Sequence, residues 1–209
     1  MVSGPFFSVI VPAHNSEGFV EKCLQSIRGQ TFTDYELIVV CDACTDNTVA
    51  VADWYADKVI ETEHGRDGLA RNAGIDAAEG EWILFLDDDD WWIHEYVLEE
   101  IWKVAGFFEE EFDLILFDFI WRGKGYTKVK ACEMNIAVWT KAFKRELIGD
   151  TRFPGIEFMS DLPFMMAIQA KHPRCFETHQ LMYYYNFMRR GSQTDLFCKG
   201  IIQQSPVAE

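Results

Sequence analysis

The chain is organised around five apolar residues, 82–86, that run without interruption into four aspartates at 87–90. A short apolar run bounded by polar residues predicts a strand buried on both faces, as in a parallel sheet. Adjacent carboxylates repel one another, and a hard divalent cation, Mg²⁺ or Mn²⁺, is the usual compensation. Ligands of open α/β sheets bind at the carboxyl ends of the strands, where these aspartates would lie. The alternative is a solvated acidic turn that caps the next helix, but the position after a buried strand favours the metal site.

Strand and helix patterns alternate through the first half of the chain. The first predicted helix, from Asn15 or Ser16 to about Gly29, carries an apolar stripe at i, i+3, i+4 and i+7. Such alternation is typical of a parallel sheet built from right-handed crossovers, so the predicted fold class is α/β. Strands are predicted over residues 6–11, 35–41 and 58–62, ahead of the central strand.

The second half of the chain has a less regular pattern, which predicts a smaller mixed or antiparallel portion. Its predicted elements are a strand at 113–121 that turns back at 123–125, helices at 141–148 and about 161–170, and a late strand at 181–185. We expect one compact domain over 1–209, with halves at 1–110 and 111–197 and a tail at 198–209 whose end is frayed.

Composition restricts the class of protein. Hydrophobic residues make up 49% of the 209 residues, which is enough for a globular core. The net charge of -15 should repel nucleic acid, and a phosphate-bearing substrate would need a metal or local arginines. Among six cysteines, the one close pair, Cys41 and Cys44, does not complete a zinc site. No signal peptide or membrane-spanning run is evident, so we expect a soluble cytoplasmic protein.

Polar clusters follow three of the predicted parallel strands, at residues 13–15, at Asp42 and at residues 87–90. These strand ends share one edge of the sheet, so the clusters can converge on one ligand. The chain has neither a P-loop nor a complete G-x-G-x-x-G run after the first strand, which argues against P-loop ATPases and typical dinucleotide enzymes. The aspartates are then the main candidates for holding phosphates, through a metal.

The strand-end motifs form part of a longer series. The series includes FSVIVPAHN at 7–15, ELIVV at 36–40, ARNAGI at 70–75 and FLDDDD at 85–90. It continues in order with segments at 138–141, 143–147, 153–154, 160–164, 183–185 and 191–192. Over nearly the whole chain, these segments resemble family 2 glycosyltransferases of the GT-A fold. The resemblance implies a Rossmann-like, mainly parallel sheet flanked by helices, with a nucleotide-sugar-binding half and then an acceptor-side half.

The resemblance also implies a reaction, the transfer of a sugar from a nucleotide-diphosphate donor, usually UDP-linked, to an acceptor hydroxyl with inversion. Asp42 would accept from the uracil N3–H, and Arg71 would lie near the base or diphosphate unless it forms a surface salt bridge. Arg189, Arg190 and Ser192 would close over the diphosphate, unless they form a solvated basic turn. The implied donor site comprises Pro12, Ala13, Asn15, Asp42, Arg71, Asp89, Arg189 and Ser192.

The family's metal motif falls on the four aspartates. By this resemblance, Asp90 would be the favoured direct ligand of Mn²⁺ or Mg²⁺. Asp89 would belong to the same metal site and would face the donor ribose or sugar. The metal would bridge the two phosphates and neutralise charge on the departing UDP.

The general base that inversion requires matches Asp161. Ser160 precedes it, where many relatives have an acidic residue. Without the resemblance, Asp161 would be interpreted as a carboxylate at a helix N-terminus. Trp91 and Trp139 would stack on sugar or acceptor rings, although core aromatics are the commoner explanation.

The expected function is metal-dependent hexosyl transfer to a glycan or lipid-linked acceptor, in cell-surface polysaccharide or glycolipid biosynthesis. Peripheral association with the inner face of the membrane is left open. A nucleotidyltransferase also uses acidic strand ends, but it would need a basic triphosphate loop, which residues 12–15 do not offer. A catalytically degenerate nucleotide- or carbohydrate-binding domain is the other alternative, and the presence of both the aspartates and Asp161 argues against it.

Overall fold

The computed structural model describes residues 4–107, 112–122, 126–130 and 136–186. The first half alternates strands with helices, and the second half is richer in strands. In chain order the elements are β1 (Phe7–Ala13), α1 (Val20–Arg28), β2 (Tyr35–Asp42), α2 (Thr48–Tyr55), β3 (Lys58–Thr62), α3 (Asp67–Ala77), β4 (Trp82–Phe85), β5 (Trp91–Trp92), α4 (Val97–Phe107), β6 (Leu114–Arg122), β7 (Tyr126–Val129), a 3₁₀ turn (Val138–Thr140), β8 (Lys141–Lys144), α5 (Arg145–Ile148), α6 (Asp161–Gln169) and β9 (Cys175–Tyr185).

The nine strands within the described ranges join one mixed sheet in the order β3-β2-β1-β4-β8-β6-β9-β5, with β7 added on β6. The strands β3, β2, β1 and β4 are parallel. Beyond β4, β8 is antiparallel to both β4 and β6, whereas β9 runs parallel to β6 and antiparallel to β5. The predicted α/β class, with a parallel sheet and a mixed portion beside it, is therefore confirmed.

The parallel strands β1, β2 and β4 are buried because helices cover both faces of the sheet. Every residue of β1 and β4 is buried, which explains their unbroken apolar sequences. Helices α1 and α4 contribute to the core on one face, and α3 and α6 contribute to the core on the other. Strand order reverses at β1, which lies between β2 and β4, so a crevice opens at the carboxyl ends of these strands.

Helix α3 approaches the sheet closely through a glycine. A Cβ atom on Gly74 would lie only 2.3 Å from Cγ2 of Ile10 on β1. Only glycine allows this approach without displacing the helix. The close packing fixes Arg71, one turn earlier in the same helix, at the edge of the crevice.

The structure corrects several predicted elements. Residues 141–144 form strand β8 rather than the start of a helix, and only Arg145–Ile148 is helical. Pairing with the open edges of β4 and β6 overrides the local preference, because it buries Ala142 and Phe143 completely. Helix α1 begins at Val20, later than the predicted cap at Asn15 or Ser16, and no side chain caps it.

Strand β9 is longer than predicted because it begins at Cys175, and the two-residue strand β5 was not predicted. None of the described helices combines the length and the apolar character that crossing a membrane requires.

Candidate active site

A cavity of about 410 Å³ lies at the carboxyl ends of the parallel strands. Residues from the strand ends of the first half meet residues of the second half there, so both halves of the chain contribute. The strand ends supply Pro12, Ala13, His14, Asp42, Asp87, Asp88 and Asp89; the β3–α3 loop and α3 supply Gly65, Arg66, Asp67, Ala70 and Arg71; and the second half supplies Ile136, Ala137, Trp139, Phe158, Met159, Ser160, Asp161, Tyr185 and Asn186.

Arg71 is the central cation of the cavity. Its side chain is only 4% exposed, and its guanidinium lies 2.6 Å from Asp67 and 2.7 Å from Asp87. A third carboxylate, Asp161, lies 3.5 Å away. The surface salt bridge considered for Arg71 is therefore wrong, since one buried cation joins α3, the acidic turn after β4 and the start of α6.

Burial and the surrounding carboxylates set the protonation behaviour of this cluster. Burial alone would lower the pKa of the Arg71 guanidinium, but the three carboxylates outweigh it and raise that pKa well above its usual range. Burial raises the pKa of Asp87 to about 7, and Arg71 offsets only part of the shift. Burial also raises the pKa of Asp161. One cation facing three carboxylates leaves an excess of negative charge, which favours a further cation in the cavity.

Asp161 lies at the first position of α6 and faces the same cavity. Its Oδ2 accepts a hydrogen bond from the backbone N–H of Val138, at 3.3 Å. Ser160, the residue before it, makes no capping hydrogen bond with its side chain but lies 3.4 Å from both carboxylate oxygens of Asp67. Asp161 is thus held at the junction of the two halves rather than at an exposed helix end.

Asp42 holds the β3–α3 loop against the strand end. Its Oδ1 accepts from Thr62 Oγ1 at 2.8 Å and from the N–H of His64 at 2.7 Å, and its Oδ2 accepts from the N–H of Arg66 at 2.7 Å. These donors lower the pKa of Asp42 although burial opposes them. The predicted contact of Asp42 with a uracil base stays a prediction, and it would use a carboxylate that already organises the loop.

The four aspartates do not occupy equivalent positions. The N–H of Asp90 donates to the carbonyl of Asp87 at 3.1 Å, which closes a tight turn. Asp87, Asp88 and Asp89 line the cavity, whereas Asp90 does not. Asp90 is completely buried, and its carboxylate accepts from the Tyr183 hydroxyl and from the N–H of Asn186.

Comparison with known sequences decides the family. The sequence pattern described as Glycosyl transferase family 2 matches residues 8–169, which is most of the chain. The chain belongs to this family.

Named relatives of this family 2 chain come from several bacteria. It is 38% identical over 117 residues to EpsH of Bacillus subtilis (strain 168), and the match covers 54% of the chain and 33% of EpsH. It is 39% identical over 113 residues to the poly(ribitol-phosphate) beta-N-acetylglucosaminyltransferase TarS of Staphylococcus aureus, covering 50% of the chain and 19% of TarS. The match thus spans a third or less of these two relatives.

Solved structures confirm the GT-A type of fold. The family 2 chain superposes on S. aureus TarS 1–349 in complex with UDP-GlcNAc with a TM-score of 0.77 and 25% identity. That superposition covers 90% of the chain and 60% of TarS 1–349. A second S. aureus TarS structure gives a TM-score of 0.74 at 27% identity, over 86% of the chain and 36% of that protein.

The structure brings only part of the predicted site of this family 2 chain to the cavity. Asn15 is not among the lining residues, because its side chain accepts from the N–H of Thr45 at 2.7 Å and so orders the β2–α2 loop. Trp91 is also outside the lining and stacks on Tyr184 with ring centroids 3.9 Å apart. Trp139 does line the cavity, although it is only 7% exposed. Arg189, Arg190, Ser192 and the tail at 198–209 lie outside the described residues.

His14 is a cavity residue that the sequence reasoning missed. Its Nδ1 lies 2.6 Å from the carbonyl oxygen of Asp42, and its backbone N–H donates to Asp88 at 3.1 Å. His14 is absent from the donor site that the resemblance implies, and its spacing to the other histidines fits no metal site. Its place directly after β1, at an edge where three polar clusters were already expected, is the signal that would have identified it.

The donor set at the acidic turn suits a divalent cation that shares its ligands with a substrate. No group of three or more His, Cys, Asp or Glu side chains within the described ranges is arranged to hold a metal ion alone. Mg²⁺ and its congeners are commonly held by one or two carboxylates and completed by phosphate oxygens and water. Of the two predicted ligands, Asp89 is at the cavity wall and Asp90 lies behind it.

Proposed function

We propose that this chain is a metal-dependent, inverting glycosyltransferase that moves a sugar from a UDP-sugar to an acceptor hydroxyl. The observation that carries the proposal is the shared contact of Arg71 with Asp87 and Asp161. This contact fixes the acidic turn and the candidate base on the walls of one cavity. An in-line displacement needs this arrangement, because the base must act across the sugar from the leaving diphosphate.

The donor would bind along the strand ends of the first half of the chain. Family membership and the likeness to TarS, solved with UDP-GlcNAc, support a nucleotide-sugar donor of the UDP class. Pro12, Ala13 and Asp42 would border the nucleotide, and Arg71 and Asp89 would lie towards the diphosphate. Asn15 would act through the β2–α2 loop that it orders. Arg189 and Ser192 stay predictions of the donor site.

Asp89 would supply a carboxylate to the metal in this proposal. When bound, Mn²⁺ or Mg²⁺ supplies positive charge for the diphosphate leaving group. Arg71 holds Asp87 in place beside this position and spreads its own charge over three carboxylates. The chain is strongly acidic overall, so a phosphate-bearing donor needs such local cations.

Asp161 would act as the general base. An acceptor hydroxyl attacks the anomeric carbon as the bond to the donor phosphate breaks, and an Asp161 oxygen takes the hydroxyl proton. The hydrogen bond from the N–H of Val138 to Oδ2 orients the carboxylate. Burial raises its pKa towards the range in which a carboxylate can accept a proton effectively.

The acceptor would enter along the wall formed by the second half of the chain. Trp139 contributes to this wall, so it is a better candidate for acceptor contact than Trp91. We infer a glycan or lipid-linked acceptor in the synthesis of a cell-surface polysaccharide or glycolipid. The relatives support this assignment, since TarS is named as a poly(ribitol-phosphate) beta-N-acetylglucosaminyltransferase.

A screen of UDP-sugars, each with Mn²⁺ and with EDTA, tests the proposal. Released UDP measures turnover, and the anomeric proton signals in NMR of the product report inversion. Asp161→Asn should lower kcat by about 10² to 10⁴-fold and leave UDP affinity within about threefold of wild type. Asp89→Asn should lose the Mn²⁺-dependent part of UDP binding. Asp76→Asn is the matched control, because Asp76 pairs with Arg152 on the exposed surface.

Unchanged turnover in Asp161→Asn would refute its role as base. Binding of nucleoside triphosphates with release of pyrophosphate would instead identify a nucleotidyltransferase. UDP binding without transfer to any acceptor, and without hydrolysis of any UDP-sugar, would favour a degenerate binding domain.

A further inference from the structure

The last aspartate of the acidic turn makes its contacts with the end of strand β9. Asp90 is fully buried, and its Oδ2 accepts a hydrogen bond of 2.5 Å from the hydroxyl of Tyr183. Its Oδ1 accepts from the backbone N–H of Asn186, at 2.7 Å. Both carboxylate oxygens therefore have donors from a segment more than ninety residues later in the chain.

The Tyr183 hydroxyl joins both ends of the acidic turn. It donates to Asp90, and it accepts from the backbone N–H of Asp87 at 3.3 Å. The tyrosine is completely buried, and its ring stacks on Trp139 with centroids 4.5 Å apart. This one side chain thus contacts the first and last aspartates of the turn and a residue of the acceptor-side wall.

Strand pairing reinforces the same junction. Directly after the turn, β5 pairs with β9 through Trp91 opposite Tyr184 and Trp92 opposite Tyr183. Beyond these pairs, Tyr185 and Asn186 reach the cavity wall. Residues 183–185 of β9 also pair with β6, so the wall follows β9, and the contacts with the turn set where β9 lies relative to the aspartates.

We propose that Asp90 and Tyr183 form a buried latch that positions the cavity wall at Tyr185 and Asn186 against the acidic turn. The inference rests on the proposed function and deepens it by assigning Asp90 as a positioning residue instead of a direct metal ligand. A metal bound at Asp90 Oδ2 would have to displace the short hydrogen bond from the Tyr183 hydroxyl. Asp89, at the cavity wall, needs no such displacement.

Two substitutions of nearly unchanged size test the latch. Tyr183→Phe removes the hydroxyl and keeps the ring on Trp139, and Asp90→Asn keeps the shape of the side chain but replaces one of its two acceptor oxygens with an NH₂ group. Tyr184→Phe is the matched control from the same strand, because its ring stacks on Trp91 in the outer pair. Asp89→Asn serves as the control for loss of metal binding, and circular dichroism confirms that each variant folds.

The first measurement is amide hydrogen exchange of ligand-free protein, which does not depend on any enzymatic activity. The N–H of Asn186 should exchange at least about tenfold faster in Asp90→Asn and in Tyr183→Phe, because the hydrogen bonds of the latch are weakened. Tyr184→Phe should leave this exchange unchanged. Unchanged protection in both latch variants would overturn the proposal whatever the enzyme does.

The second measurement separates positioning from metal ligation. We expect Tyr183→Phe and Asp90→Asn each to lower kcat about tenfold, with donor KM changed less than about threefold and a double variant little worse than either. Electron paramagnetic resonance of Mn²⁺ with UDP should give affinities within about threefold of wild type for both, whereas Asp89→Asn should lose Mn²⁺ binding.

Two results of these binding and kinetic measurements would also overturn the latch. If Asp90→Asn alone lost Mn²⁺ binding while Tyr183→Phe kept full kcat, Asp90 would be a direct ligand. If both variants lowered only the melting temperature, with kcat and KM unchanged, the contact would be merely structural. A wild-type chain that neither binds UDP nor turns over any UDP-sugar would refute the proposed function instead, and the exchange measurement would still decide whether Asp90 and Tyr183 hold the end of β9.

Discussion

Replacing Arg71 by methionine tests whether one buried cation holds the carboxylates of the site together. The guanidinium lies 2.6 Å from Asp67, 2.7 Å from Asp87 and 3.5 Å from Asp161, and the side chain is 4% exposed. Methionine replaces the apolar part of the side chain, so the main change is the loss of charge. Removing one partner of a buried ion pair costs about 3–5 kcal/mol, because the remaining charge lacks compensation. We expect a loss of that size in the free energy of unfolding at pH 8.

The loss should shrink as the pH falls. In the folded protein the pKa of Asp87 is about 7, compared with about 3.9 for an aspartate in an unfolded chain. A carboxyl group whose pKa is raised by folding binds protons better in the folded state, so it contributes stability at low pH and loses that contribution as the pH rises between those two values. Without Arg71 the pKa of Asp87 rises further. At pH 5 a proton then substitutes in part for the missing cation.

Urea denaturation followed by tryptophan fluorescence, at pH 5 and pH 8, measures this difference. For a domain of this size, 3–5 kcal/mol corresponds to a fall in melting temperature of roughly 6–20 °C. Arg152→Met is the control, because Arg152 and Asp76 form an exposed pair at 2.7 Å, worth less than about 1 kcal/mol at either pH. A loss below about 1 kcal/mol at pH 8 for Arg71→Met, or an equal loss at the two pH values, would refute the reasoning.

Two further substitutions test the supports of the cavity. Gly74→Ala should lower the free energy of unfolding, measured by urea denaturation, by about 1–3 kcal/mol, because the new Cβ would lie 2.3 Å from Ile10 Cγ2. Gly106→Ala is the control, because the nearest atom to its new Cβ would be 3.7 Å away, so its free energy of unfolding should be unchanged or rise by up to about 1 kcal/mol. Equal effects of the two substitutions would mean that α3 moves freely off the sheet. Asp42→Ala should weaken UDP binding about tenfold in calorimetry, since two loop N–H groups lose their acceptor. Unchanged affinity would show that this loop does not hold the nucleotide.

The parallel half of the fold was predictable because the burial of its strands is visible in their own sequences. Residues of β1 and β4 are buried on both faces, and this burial leaves an unbroken apolar sequence that few other structures produce. Strand β8 could not be recognised in the same way. It has only two apolar residues, Ala142 and Phe143, flanked by lysines, and it continues into a real helical turn, so only pairing with the edges of β4 and β6 makes it a strand.

The location of the site was predictable, but the different positions of its four aspartates were not. Four consecutive aspartates are equivalent in the sequence, and a turn closed by the N–H of Asp90 places three at the cavity and one beneath it. The burial of Arg71 was equally hidden, because two of its three carboxylate partners, Asp87 and Asp161, come from distant segments. Contacts between distant segments, which no local pattern encodes, decide both outcomes.

The hydrogen bonds from Tyr183 and Asn186 to Asp90 also affect how the protein matures. Because a protein is synthesised from its N-terminus, the parallel strands and the acidic turn leave the ribosome long before the end of β9, which supplies the donors to Asp90. Until β9 arrives, the carboxylate of Asp90 lacks both of the donors that it has in the folded protein. A nascent chain would therefore hold an unfinished, negatively charged pocket, and closure of the last strand would convert it into the finished site.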